Sequence, residues 1–157
     1  MTDFDIYYYG IPIVVALIAG EFIYSYIHKK GYYKKEDSIA SIGLLAGNVA
    51  VSLLTKGSIL LLYIYFYQFR LFTINDLLPV WAVWGLTFIV IDFVYYWYHR
   101  CSHRVRFLWA VHMNHHSSEE MNYVVSLRQA WFGPISKIPF FMFMPLAGFD
   151  PLITLVA

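Results

Sequence analysis

Five of the six histidines in this chain lie between His99 and His116. They form two groups, His99-Arg100-Cys101-Ser102-His103 and His112-Met113-Asn114-His115-His116, with eight residues between them. Imidazole moves protons near neutral pH and also binds transition metals. Residues three or four apart share a helix face, one turn above each other. His99 and His103 can therefore aim two rings at one point, and so can His112, His115 and His116. One such pair is weak, because histidines pair by chance. A pair followed by a triple is specific. Imidazoles gathered at one depth in an apolar setting are costly unless they share a partner, and a metal ion is the simplest one.

The donor set narrows the metal. Imidazole suits zinc, copper, iron and nickel. There is no HExxH order, so a zinc protease is a poor reading. Cys101 stands two residues from His99 and faces away on a helix, which argues against a mixed Cys/His zinc site. Structural zinc closes its shell at four ligands, so two ions sharing the imidazoles fit better. On chemical grounds an all-nitrogen, open-sided site suits redox-active iron that binds dioxygen. Three rivals stand beside this reading. The histidines can be the relay of a metal or proton transporter, with ligands near the bilayer midplane. They can hold a haem between facing helices. Or the chain is a structural membrane module.

Metal-bound histidine usually donates its other ring N–H to a carboxylate or carbonyl. Asp92 lies seven residues before His99, two turns away on one face. An intramembrane carboxylate is functional by default, so Asp92 orients a ligand or makes a polar contact between helices. Glu119 follows His116 by three residues and can face the same way; a solvated helix end is the plainer alternative. Arg128 and Gln129 can bond Glu119 and Glu120 or sit among lipid headgroups. Tyr95, Tyr96, Trp97 and Tyr98 can wall a lipid channel, or form an interfacial belt.

The elements that must position these residues are apolar. In 157 residues, 60% are hydrophobic, 20% aromatic and 13% charged, with a net charge of +1 and one cysteine. Soluble domains carry about 25% charged residues. Disorder, a basic nucleic-acid face and a disulfide scaffold are excluded. The fold expected is all-α: a multi-pass transmembrane bundle, one membrane domain over residues 1–157, with a histidine-rich metal site on its cytoplasmic side.

A span needs about 20 mostly apolar residues. The first is Ile6 to Ile27, with one carboxylate, Glu21, and tyrosines at both ends (Tyr7, Tyr8, Tyr9; Tyr24, Tyr26). Its acidic start, Met1 to Asp5, lacks the basic charge of a secretory signal, so an uncleaved anchor is expected. Lys29, Lys30, Lys34 and Lys35 follow and mark the cytoplasmic side, with His28 a polar residue at the boundary. Ile39 to Tyr67, interrupted by Lys56 and Gly57, is longer than one crossing requires. It is one tilted or kinked helix, or two half-crossings. Pro79 to Tyr98 is the third span. Ile135 to Phe149, broken by Pro139 and Pro145, is expected as a membrane-associated segment. Arg100, Arg104 and Arg106, and later Arg128 and Lys137, should share the side of the lysine loop. That requires Ile39 to Tyr67 to cross once. Asp150-Pro151 reads as a helix cap and first turn, after which only six residues remain. Such a helix neither stands alone nor crosses a bilayer, so a longer protein is expected.

Asp92 to Arg128, reading DFVYYWYHRCSHRVRFLWAVHMNHHSSEEMNYVVSLR, resembles the fatty acid hydroxylase / sterol desaturase superfamily. The stretch HHSSEEMNYVVSLRQ is most similar to its alkylglycerol monooxygenase-like branch. The family's HxxxH box corresponds to His99 and His103, and its HxxHH box to His112, His115 and His116. The resemblance implies a membrane enzyme with two non-haem irons that uses dioxygen to hydroxylate or desaturate a lipid. It implies a lipid substrate and an electron donor, a reduced pterin in that branch or a membrane cytochrome chain elsewhere. No nucleic acid partner is expected, and nothing in the residues specifies an oligomeric state. Two departures are visible. No histidine follows His116, where the family has a third HxxHH box, and Arg104 stands where some members carry a carboxylate. A truncated, non-catalytic relative is therefore the remaining alternative.

Overall fold

The computed structural model describes residues 6–156, and the acidic start Met1 to Asp5 lies outside them, as does Ala157. The described residues are helical, with no strand among them. In chain order the helices are α1 (Ile6–Ile27), α2 (Lys35–Tyr67), α3 (Ile74–Leu77), α4 (Val80–Ser102) and α5 (Arg106–His112). A 3₁₀ turn, Met113–His116, comes next. Then follow α6 (Tyr123–Ser126), α7 (Gly133–Phe141), α8 (Phe143–Ala147) and α9 (Pro151–Val156).

Helices α1, α2 and α4 are long and apolar enough to cross a bilayer. Their side chains face outward to an extent no soluble fold tolerates: Leu54 is 81% exposed, Trp81 78% and Phe88 76%. These are surfaces for lipid. The stretch around Lys56 and Gly57 is one continuous helix, not two half-crossings.

Between α2 and α4 sits a wedge of short helices. α7 touches both long helices, while α8 and α9 lean on α2. The Ile135 to Phe149 stretch is thus two short helices inside the bundle, parted at Met142. Neither is long enough to span. Val94 of α4, Met144 of α8 and Phe149 form the apolar core, with Val90, Phe140 and Phe141 packed around them. Tyr98 ties α4 to α7: its phenol donates to the Ser136 hydroxyl at 2.9 Å, which donates to the Gly133 carbonyl at 2.9 Å.

Two glycines are required by close approach. Gly47 on α2 lies under the Trp131 indole, where any Cβ would overlap the ring. Gly148 closes α8 at φ +101°, and a Cβ there would strike the Phe72 carbonyl. Asp150 caps α9 as its sequence predicts, with Oδ1 accepting from the amides of Leu152 and Ile153.

The lysine loop and the histidine segment lie at the same end of the bundle. Lys34 pairs with Glu120 at 2.6 Å, and Asn122 Nδ2 donates to the Tyr32 carbonyl at 2.7 Å.

Candidate metal centre

α4 is mostly apolar, broken by Asp92, until its last turn, and there it presents His99; His103 is its C-cap residue. The four-residue spacing stacks the two rings, with centroids 4.9 Å apart and Nε2 atoms 3.0 Å apart. The chain turns back at Val105 into α5, which packs on α4 and ends in His112. The helix then tightens to 3₁₀ for Met113–His116, a departure from the uniform helix the spacing predicts. The Ser117 hydroxyl closes this turn, donating to the Asn114 carbonyl at 2.8 Å.

The turn lays His116 beside His112, with Nε2 atoms 3.2 Å apart. The His112 ring lies 4.7 Å from that of His99 and 4.9 Å from that of His103, centre to centre. One ring nitrogen from each of His99, His103, His112 and His116 lies within 4.8 Å of the other three. Nitrogens that share one ion at about 2.0–2.1 Å stand at most about 4.2 Å apart, so the rings need to close in only slightly to hold one. Among the described residues no carboxylate joins the group, whose four donors are imidazoles.

The fifth histidine takes another part. His115 lies next to the group, its ring 5.7 Å from that of His112, but its Nδ1 donates to the Arg128 carbonyl at 3.1 Å. That is the contact by which a protein fixes a histidine's tautomer and leaves Nε2 free.

The expected supporting residues divide. Arg128 is buried at 4% exposure and well bonded. Its guanidinium donates to Asp37 Oδ1 at 2.7 Å, Ser117 Oγ at 2.6 Å and Ser41 Oγ at 3.2 Å. It thus pairs with Asp37 on α2, not with Glu119 or Glu120. Glu120 is taken by Lys34, and Glu119 is exposed and bonds nothing among the described residues. Asp92 likewise is exposed on α4, without a hydrogen bond or ion pair among the described residues. Seven residues do share a helix face, but on α4 that face turns outward at Asp92. Asp37, Ser41 and Ser117 carry no motif, and sequence reading missed them.

His112 is buried at 9% exposure, and its pKa is pushed down to about 4. Burial is the main cause, followed by the neighbouring imidazoles. His116 is shifted in the same direction, also chiefly by burial. Both rings stay neutral at pH 7 with a lone pair to offer. An unfolded chain protonates such a ring near pH 6.5. Stability contributed by neutral His112 is therefore whole above about pH 6.5 and lost as pH falls towards about 4. Metal-free protein should lose more melting temperature between pH 7 and pH 4 than its His112→Asn variant. Equal losses would contradict the assignment.

A cavity of about 550 Å³ opens beside the cluster, between α2, α4, α7 and α9. His112 and His115 stand in its wall. A smaller one of about 240 Å³ touches His103 from outside, with Arg104, Arg106 and Trp109 around it.

Membrane-length helices ending in a knot of imidazoles define a class, and comparison with known proteins gives it a name. Residues 84–157 match the family model described as fatty acid hydroxylase, a segment that holds all five clustered histidines. That segment, somewhat under half of the chain, is similar to the fatty acid hydroxylase family.

The proteins it is similar to include alkylglycerol monooxygenases. The Homo sapiens one is 35% identical over 142 residues, covering 89% of this chain and 31% of that relative. The Danio rerio one is 32% identical over 120 residues, 76% of this chain and 27% of the relative. The Xenopus tropicalis one is 52% identical over 48 residues, 31% of this chain and 11% of the relative. The chain spans less than a third of the length of these relatives. No solved structure matches it.

Proposed function

We propose that this chain is the histidine-bearing membrane part of a dioxygen-dependent lipid monooxygenase acting on alkylglycerol-type ether lipids. The observation that carries the reading is the group of four imidazole nitrogens within 4.8 Å at the end of a membrane-length helix. The family match and the alkylglycerol monooxygenase relatives support the lipid substrate.

His99, His103, His112 and His116 would hold one non-haem iron, and His115 would serve a second. Bound iron supplies the one-electron chemistry that activates dioxygen; the chain's own residues bind, orient and exclude water. His112 stays unprotonated because it is buried. Arg128 fixes His115 through its carbonyl and the 3₁₀ turn through Ser117. Tyr95, Tyr98 and the faces of α2 and α7 line the adjoining cavity, where Ile59, Ile91 and Phe141 offer a surface for an alkyl chain. Asp92 and Glu119 have no part in this arrangement. We assign the histidine end to the cytoplasmic side, where the lysine loop belongs by the positive-inside rule. The reductant is an external electron donor, a pterin or a cytochrome chain.

The transporter reading loses support because His99 stands in the last turn of α4, not midway along it. The haem reading loses support because nitrogens 3.0 and 3.2 Å apart leave no room for a macrocycle between the rings. Two measurements on the full-length protein test the proposal: metal per chain by plasma mass spectrometry, and oxidation of an alkylglycerol under labelled dioxygen. Bound iron and one labelled oxygen in the product are expected. Protein that binds no iron would end the reading.

A further inference from the structure

The cavity beside the histidines is not neutral. One face of α2 supplies Asn48, Ser52, Lys56, Ile59 and Tyr63, which recur at the helical period. α7 supplies Gly133, Lys137 and Phe141, one per turn. Two lysines thus line the space, and no aspartate or glutamate does.

Lys137 is half-buried. Its Nζ lies 5.4 Å from the centre of the Tyr95 ring and 5.9 Å from that of Tyr98, and no carboxylate among the described residues pairs with it. The Tyr95 ring is in turn 6.1 Å from that of His99. Aromatic faces soften the cost of a desolvated ammonium but do not neutralise it. Lys56 lies 21 residues into α2, among Leu53, Leu54, Ile59 and Leu60. A cation at membrane depth is expensive and marks a function by default.

The cavity wall is part polar and part apolar. Asn48, Gln129, His112 and His115 stand at the histidine end, where Asn48 Nδ2 donates to the Ala130 carbonyl at 2.7 Å. Lys137 lies one turn further along α7 from Gly133. Ile59, Tyr63, Ile91, Phe141 and Leu155 supply the cavity's apolar wall, with Ser52 and Thr154 among them. A volume of about 550 Å³ is within the range of pockets that enclose one small ligand.

We propose that the cavity binds a single-chain ether lipid with a phosphate head, held by Lys137 with Lys56 adding charge, its tail lying against the apolar wall. This rests on the lipid-oxygenase reading and narrows its alkylglycerol-type lipids to those with an acidic head.

The test is equilibrium binding to the full-length protein in neutral-lipid nanodiscs under nitrogen, where no oxidation proceeds. The probes are an alkylglycerol phosphate, the same alkylglycerol uncharged, and inorganic phosphate. The lipid phosphate should bind at least about ten-fold tighter than its uncharged counterpart. Lys137→Met should remove most of that preference while leaving the uncharged lipid's affinity unchanged. Lys137→Arg should keep it. Equal affinities in the unmodified protein, or full preference in the Lys137→Met/Lys56→Met double variant, would overturn the proposal. So would displacement by inorganic phosphate at concentrations comparable to the lipid, which would make the occupant a free anion. Metal content is read on the same samples. Bound iron without head preference sinks this proposal alone; head preference without iron sinks the oxygenase reading alone.

Discussion

His112→Ala should strip the protein of metal and reduce lipid oxidation below detection. Among the five histidines, this ring is central. Its centre lies within 5.0 Å of the centres of His99, His103 and His116, and within 5.7 Å of that of His115. It is also the buried member of the group of four. Changing a residue that merely supports a ligand typically costs 10–100-fold in metal affinity, and removing the central ligand should exceed about 100-fold. Alanine also leaves a hole into which water can enter. His115→Ala is the informative contrast. Spacing alone gives it the weight of its neighbours, whereas its ring stands outside the group of four. It should retain one ion while activity falls. Iron per chain after dialysis against a chelator separates the two variants. Full retention by His112→Ala would remove the basis of the site.

Arg128→Met should be the most damaging change away from the histidines. The guanidinium joins α2, through Asp37 and Ser41, to the turn that carries His115 and His116, through Ser117. Removing one member of a buried ion pair costs about 3–5 kcal/mol, because the other charge is left unpaired. Asp37 keeps 18% of its side-chain exposure, which puts the expected loss at the lower end. Arg128→Lys should not rescue it, since one ammonium cannot replace a planar fork with several acceptors. Arg128→Met combined with Asp37→Leu should recover part of the stability, but not the ligand geometry. Thermal unfolding reads the first effect. The visible spectrum of the iron-loaded protein reads the second, which a purely structural role would leave unmoved. An Arg128→Met variant with unchanged melting and unchanged spectrum would show the clasp to be incidental.

What could be read from the residues was local. The long apolar runs announce α1, α2 and α4 because hydropathy needs no partner to be legible. His99 with His103, and His112 with His116, announce themselves because helical spacing fixes neighbours within a turn. The 3₁₀ turn that sets His115 apart gives no such notice, since the same letters fit an α-helix. Arg128 and Asp37 lie 91 positions apart, and no period links them. Asp92 misled for a related reason: helical phase tells which residues share a face, not which way that face turns once a wedge of short helices enters. The acid-free cavity belongs to this second kind, since its walls come from four helices brought together only by packing.

One oxygen atom carries a further consequence. Glu21, the lone carboxylate in α1, accepts the Tyr33 phenol at 2.6 Å and the Tyr123 amide at 2.7 Å through the same Oε2. The first helix is thereby stitched to the strap that runs from the histidine turn to Arg128. Bilayers of different thickness change the tilt of such a helix. Here a change in tilt would act on that stitch, giving the surrounding lipid a mechanical line to the residues that shape the candidate metal centre.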